Sequence, residues 1–177
     1  MILTGAEIIK EVKEQYIFIE PFHKENVNPN SYNYTLNKEL IKIYHDSITN
    51  EIREEKLSLT EQGYILEPGI LYLGVTNEKI GSSKYATSLI GRSSVGRLGI
   101  HLQISANLGH TGTYHRWTLE IRAAKKIRVY PNMKIGQVSF WCNQGQIDLY
   151  QGVYKEFNSP HKAIEDKIFS ERLNKNE

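Results

Sequence analysis

The sequence predicts an all-β sandwich or barrel, and three observations point to it. Short runs rich in β-branched and aromatic residues recur from Tyr64 to Trp141. Gly, Asn and Pro part those runs, and short strands separated by turn signals are the pattern of a sandwich or barrel. The chain has 177 residues, 40% of them hydrophobic, enough to bury one core without metal or disulfide staples.

The elements follow in chain order. Thr4 with Glu7 three residues on is a capping box, which satisfies two otherwise unpaired backbone donors. Ile8, Ile9 and Val12 then give a short helix its apolar stripe. Val27-Asn-Pro-Asn-Ser31 breaks the pattern as a turn, and Ser31 to Leu40 reads as a strand and its exit. Asp46 to Thr60 is rich in charge and poor in core residues, the mark of a solvated insertion or hairpin. The strand candidates after it are Tyr64 to Glu67, Gly69 to Thr76, Tyr85 to Ile90, Gly99 to Ser105, Arg116 to Ala123 and Lys134 to Trp141. Pro131-Asn132 makes the turn before the last. Beyond Tyr150 periodicity is lost until Ile164 to Leu173, which reads as a short helix or a mobile arm. A single domain over 1–177 is expected, with about 150–177 as its arm.

Composition narrows the function. Lys and Arg number 22 against 20 Asp and Glu, too balanced to announce a nucleic-acid surface. The single cysteine, Cys142, rules out an internal disulfide and a Cys-rich zinc site. No apolar run nears the ~18 residues of a membrane span. The opening MILTGAEIIKEVKE lacks a signal peptide's apolar centre. A cytoplasmic setting, with neither membrane nor nucleic acid as partner, is the expectation.

Two segments carry candidate chemistry. Gly91-Arg-Ser-Ser-Val-Gly-Arg97 packs two arginines, two hydroxyls and two glycines into seven residues after a strand. Guanidinium forks, hydroxyls and backbone donors at such a turn suit phosphate oxygens. It reads equally as a polar turn whose arginines pair with local carboxylates. The second segment is Arg116-Trp-Thr-Leu-Glu-Ile-Arg122. Strand periodicity puts Trp117, Leu119 and Ile121 on one face and Thr118, Glu120 and Arg122 on the other. A partly buried Glu120 is fitted for proton transfer near neutral pH; a solvated Glu120, or one paired with Arg122, is not. His110 and His115 flank a glycine-bearing turn; two histidines alone are a weak metal signal, and no metal ligand is assigned. Tyr150 and Tyr154 offer faces for stacking on a base.

Together these pieces resemble the dCTP deaminase/dUTPase superfamily, and dCTP deaminases within it. The resemblance is carried by Gly91-Arg-Ser-Ser-Val-Gly-Arg-Leu-Gly99 and Trp117-Thr-Leu-Glu-Ile121. Met1-Ile-Leu-Thr-Gly5, Ile19-Glu-Pro-Phe22, Asn28-Pro-Asn-Ser-Tyr32 and Tyr150-Gln-Gly-Val-Tyr154 fit the same pattern. It implies a mainly β, distorted barrel or jelly roll of the dUTPase-like, β-clip type, with a short N-terminal helix and a C-terminal arm or lid. It implies a homotrimer with sites at subunit interfaces, and zinc-independent deamination of dCTP to dUTP and ammonia. Glu120 would be the general base, and Ser93, Arg97 and the Ala106 carbonyl would hold the water and the intermediate. Arg92, Ser93, Ser94 and Arg97 would meet the nucleotide, with His110, Thr118, Leu119, Glu120 and Tyr150 around the nucleoside and arm. Mg²⁺ would ride on the triphosphate.

The chain departs from the family's pattern at the turn before Glu120. His110 stands where the family has an Asp that meets the deoxyribose and, in members that also hydrolyse the triphosphate, orients water. His115 replaces a common Gly. Ser31-Tyr-Asn-Tyr34 replaces Ser-Tyr-Asp-Leu, and the arm's usual Lys and Gln fall near Val153 and Phe157, beside Asn158, with Lys155 or Lys162 as substitute donors. These departures favour a deaminase without the second hydrolysis. They leave two alternatives: a deaminase or pyrophosphatase of a related nucleotide, and an idle nucleotide-binding, regulatory trimer.

Overall fold

The structure is a computed structural model that describes residues 1–103, 105–152 and 158–162. It opens with a helix, α1 (Gly5–Lys13), capped by Thr4, whose Oγ1 accepts the Glu7 N–H at 3.3 Å. The Glu7 carboxylate takes Lys10 Nζ at 3.0 Å. The buried face of α1 is Gly5, Ile8 and Glu11, with Ile9 and Val12 half-buried beside it. Glu11 is an acid at a core position, and Lys84 Nζ meets its carboxylate at 3.2 Å. Burial works against its charge, but hydrogen bonds from Tyr85 and Lys84 hold its pKa below the ordinary value.

Twelve strands follow: β1 (Ile17–Glu20), β2 (Tyr32–Thr35), β3 (Glu39–His45), β4 (Ile52–Ser58), β5 (Tyr64–Leu66), β6 (Leu71–Ser82), β7 (Tyr85–Gly91), β8 (Ile100–Leu102), β9 (Leu108–Gly109), β10 (Tyr114–Ala123), β11 (Ile127–Val129) and β12 (Lys134–Cys142). A second helix, α2 (Ser93–Arg97), lies between β7 and β8. One sheet runs β4-β3-β6-β10-β8, with β1 also on β6. Another runs β2-β12-β7-β9, and β5 pairs with β11 apart from both. One apolar cluster draws Ile80, Leu119 and Ile121 from the first sheet and Tyr32, Leu89, Val138 and Phe140 from the second, as two sheets sharing a core do. The fold is mainly β as expected; among the described residues the ladders keep open ends rather than closing a barrel.

Asp46 to Thr60 is indeed hairpin: β3 and β4 pair from Glu39↔Ser58 to His45↔Ile52. Several strands depart from the sequence reading. β6 runs on through Asn77-Glu78-Lys79 to Ser82 instead of ending at Thr76. Glu78 is buried there and accepts the Thr35 N–H at 2.9 Å and Thr35 Oγ1 at 3.0 Å; burial raises its pKa. β1, β9 and β11 are strands that the sequence reading leaves unmarked. No described helix is long and apolar enough to cross a membrane.

β10 is the strand that positions the site. It lies between β6 and β8 and carries a bulge between Arg116 and Thr118. A bulge removes one residue from the ladder and re-aims its neighbours. The Trp117 N–H leaves the ladder there and donates to Thr76 Oγ1 at 2.9 Å.

Candidate active site

A cavity of about 360 Å³ opens at the β10 bulge. Ala106, Leu108 and His110 line it from the β9 loop, His115, Trp117 and Thr118 from β10, and Tyr150 from the far side. The walls are braced from within. Trp117 Nε1 donates to the Ile80 carbonyl at 3.0 Å. The His115 ring packs 4.3 Å from Trp117, with its Nδ1 2.8 Å from the Arg116 carbonyl. His110 is exposed and stacks on Tyr150, centroids 5.3 Å apart and planes 13° apart. Both partners of that stack are fixed by backbone: Thr113 Oγ1 donates to the His110 carbonyl at 2.7 Å, and the Tyr150 N–H to the Thr111 carbonyl at 2.9 Å. Gly109 admits no side chain, because a Cβ there would collide with Thr87 Oγ1 and the Trp117 ring.

Glu120 stands one step beyond Thr118 on the same face of β10, half-buried. Its N–H donates to Gln103 Oε1 at 2.8 Å. Gln103 Nε2 in turn donates to the Ala106 carbonyl at 3.3 Å. A carbonyl has two lone pairs, so Ala106 keeps one for a ligand. Leu119, expected among the nucleotide contacts, has its side chain wholly in the core; only its backbone is available to a ligand.

The Gly91 to Arg97 segment is a helix where the sequence suggested a turn. Arg92 is its N-cap residue and Ser93 to Arg97 its single extended turn; Gly96 in its middle disguised it, since glycine is a poor helix former. Ser93, Ser94 and Arg97 are exposed. Arg92 is half-buried and donates to the Lys134 carbonyl at 3.3 Å. Among the described residues neither arginine forms an ion pair. None of the four lines the cavity. Thus His110, Thr118, Tyr150 and Ala106 come together; Glu120 is not among the lining residues and is tied to Ala106 only by its backbone N–H, through Gln103; the α2 groups stand apart.

The segment 158–162 crosses the same strand. Asn158 Oδ1 accepts the Arg116 N–H at 3.4 Å, the His161 N–H donates to Thr118 Oγ1 at 3.4 Å, and Lys162 Nζ meets Glu54 at 3.0 Å. Val153, Tyr154, Lys155 and Phe157, and the helix or arm expected at Ile164 to Leu173, lie outside the described residues. Sequence reasoning passed over Leu108, Gly109, Thr113 and Gln103. Only Gly109, in a glycine-bearing turn, carried any signal.

Known proteins resemble this chain in sequence and in fold. The dCTP deaminase-like family model matches residues 2–143. "dCTP deaminase, dUMP-forming" of Clostridium botulinum (strain Alaska E43 / Type E3) is 45% identical over 172 residues, covering 96% of this chain and 99% of its own. The protein of the same name from Leptospira biflexa is 40% identical over 178 residues, 97% of this chain and 100% of its own. The crystal structure of 2'-deoxycytidine 5'-triphosphate deaminase from Agrobacterium tumefaciens superposes with a TM-score of 0.65 at 20% identity, covering 80% of this chain and 48% of that one. That structure shares the fold; the relatives at 40–45% identity share nearly the full length, and with the family match across both sheets they make this chain a member of the dCTP deaminase-like family.

Proposed function

We propose that the protein hydrolyses the C4 amino group of dCTP, with Glu120 as general base and no zinc. The observation that carries this reading is Glu120 on the cavity's own strand, its backbone tied through Gln103 to the Ala106 carbonyl. Glu120 takes a proton from water as the oxygen bonds to C4. The C4–N bond then breaks, and the proton passes to the departing nitrogen, which leaves as ammonia; dCTP and water give dUTP and ammonia. Ser93, Arg97 and the Ala106 carbonyl hold the water and the tetrahedral carbon. The cavity's volume lies in the range of small-molecule sites, and the His110–Tyr150 stack supplies a flat face for sugar or base.

Arg92, Ser93, Ser94 and Arg97 bind the triphosphate, which brings its Mg²⁺ with it. They do not line the cavity of their own chain, and this supports a homotrimer in which a neighbouring copy brings them to it. Two further features support association. A Cβ at Gly96 would meet nothing within 4 Å, so packing inside one chain does not demand glycine there. The outer face of β7 and β12 carries Ser88, Ile90, Gln137, Ser139 and Trp141, without a charge.

The reaction continues, in our reading, to dUMP and pyrophosphate by a second hydrolysis. The printed name of relatives at 40–45% identity supports this product, in place of the dUTP expected from the sequence. His110 favours the other outcome, because an imidazole does not replace a carboxylate in orienting water. Incubation with dCTP and Mg²⁺, reading ammonia and pyrophosphate together, separates the two: ammonia with equal pyrophosphate is expected, and ammonia alone returns the product to dUTP. Glu120→Gln should lower ammonia release about 10²–10⁴-fold, the usual weight of a general base, while dCTP still binds. Silence of the wild-type protein would leave a nucleotide-binding role. A cytoplasmic location accompanies this reading.

A further inference from the structure

We propose that Gln103 is a positioning residue for the deamination, acting as a two-point tie between the strand that carries Glu120 and the loop that carries Ala106. The inference rests on the proposed function and deepens it. β8 pairs with β10 through Ile100↔Ala123, His101↔Arg122 and Leu102↔Ile121. The next rung would set Gln103 against Glu120, and only half of it is backbone: the Gln103 N–H reaches the Glu120 carbonyl at 3.4 Å. The other half is made by a side chain, since the Glu120 N–H donates to Gln103 Oε1 at 2.8 Å. That substitution frees the main chain to turn away.

Gln103 turns with φ +49°, in the left-handed region that is costly for a residue with a Cβ. The cost accompanies a geometric gain. One planar amide now fixes two groups at once, the Glu120 backbone by its oxygen and the Ala106 carbonyl by its nitrogen. Those are the strand of the base and the carbonyl that meets the reacting nitrogen or water. An amide offers a neutral acceptor and a neutral donor side by side on one rigid plane. A displacement near 1 Å between a base and its substrate lowers rate by roughly 10²-fold, so a tie of this kind acts on turnover more than on affinity.

The test uses the full-length protein, ammonia release from dCTP, and thermal melting. Gln103→Met keeps length and volume and removes both hydrogen bonds. It should lower kcat about 10–100-fold with KM changed less than about threefold and the melting temperature within a few degrees. Gln103→Glu keeps the acceptor for the Glu120 N–H and loses the donor to Ala106. It should also lose turnover, and Gln103→Asn, whose amide is one methylene short, should fail to rescue it. Wild-type kcat in the Met or Glu variant overturns the proposal, as does a rise in KM that accounts for the whole loss. If the Met variant melts too low to assay, the Glu variant decides by the same criterion. A wild-type protein that releases no ammonia, yet binds dCTP, overturns the functional reading instead, and that result is distinct.

Discussion

Around the cavity, Trp117 Nε1 holds the Ile80 carbonyl, Thr113 Oγ1 holds the His110 carbonyl, and Gly109 leaves no room for a methyl. On α2, Ser93, Ser94 and Arg97 stand in solvent and Gly96 faces open space. The first region is walled within one chain, by β10, the residues around β9 and Tyr150. The second presents its hydroxyls and guanidinium away from that cavity, and in our proposal meets it only in a neighbouring copy. The contrast teaches that the wall around His110 and Tyr150 is set by folding, whereas in the proposed enzyme what Ser93, Ser94 and Arg97 do is set by what approaches α2.

Substitutions can break or sharpen that contrast. The largest effect is expected on α2. Arg97→Ala removes charge-assisted hydrogen bonds of about 1.5–3 kcal/mol, so dCTP affinity should fall about 10–100-fold while the melting temperature stays put. Calorimetric titration checks it; unchanged affinity would remove α2 from the phosphate site. Next, Gly109→Ala drives a methyl into Thr87 and Trp117, and should cost about 1–3 kcal/mol in urea denaturation. An unaltered midpoint would mean that the wall is looser than its contacts indicate.

The smallest effect lies far from the site, at α1. Hydrogen bonds from Tyr85 and Lys84 hold the folded pKa of Glu11 below its ordinary value, against burial. A depressed carboxylate contributes stability above its unfolded pKa and loses it as pH falls through the folded pKa. Lys84→Met should therefore make the acid loss begin at a higher pH, read as melting temperature between pH 3 and 7. Coincident curves for variant and parent would show that Lys84 does not set that pKa.

Much of this was legible in the sequence, for physical reasons that differ by residue. Alternation around Glu120 was visible because Leu119 and Ile121 are both buried. The cap at Thr4 followed from two residue types at fixed spacing. β6 was cut short because Glu78 resembles an end; its partner Thr35 is 43 residues away, and burial with a distant partner leaves no local mark. β4 is legible only as part of a solvated insertion or hairpin, because an exposed hairpin arm does not need apolar alternation. Gln103 gave no signal at all, since its role depends on a backbone turn and two groups from other parts of the chain. The separation of α2 from the cavity is a property of the fold, invisible in a segment that reads as phosphate-binding on its own.

The β3–β4 hairpin has a use in the laboratory. Asp46 Oδ1 closes its tip by accepting the Ile48 N–H at 2.9 Å, and Ile48 beyond it is 93% exposed. Further along the same arm, Glu54 holds Lys162, in the segment that also meets Thr118. The tip is thus an attachment point for a dye or a surface tether that leaves the core alone, with an ion pair a few residues along its arm to the segment that crosses the cavity strand. Because Cys142 is exposed, a thiol label placed there first requires that cysteine to be replaced.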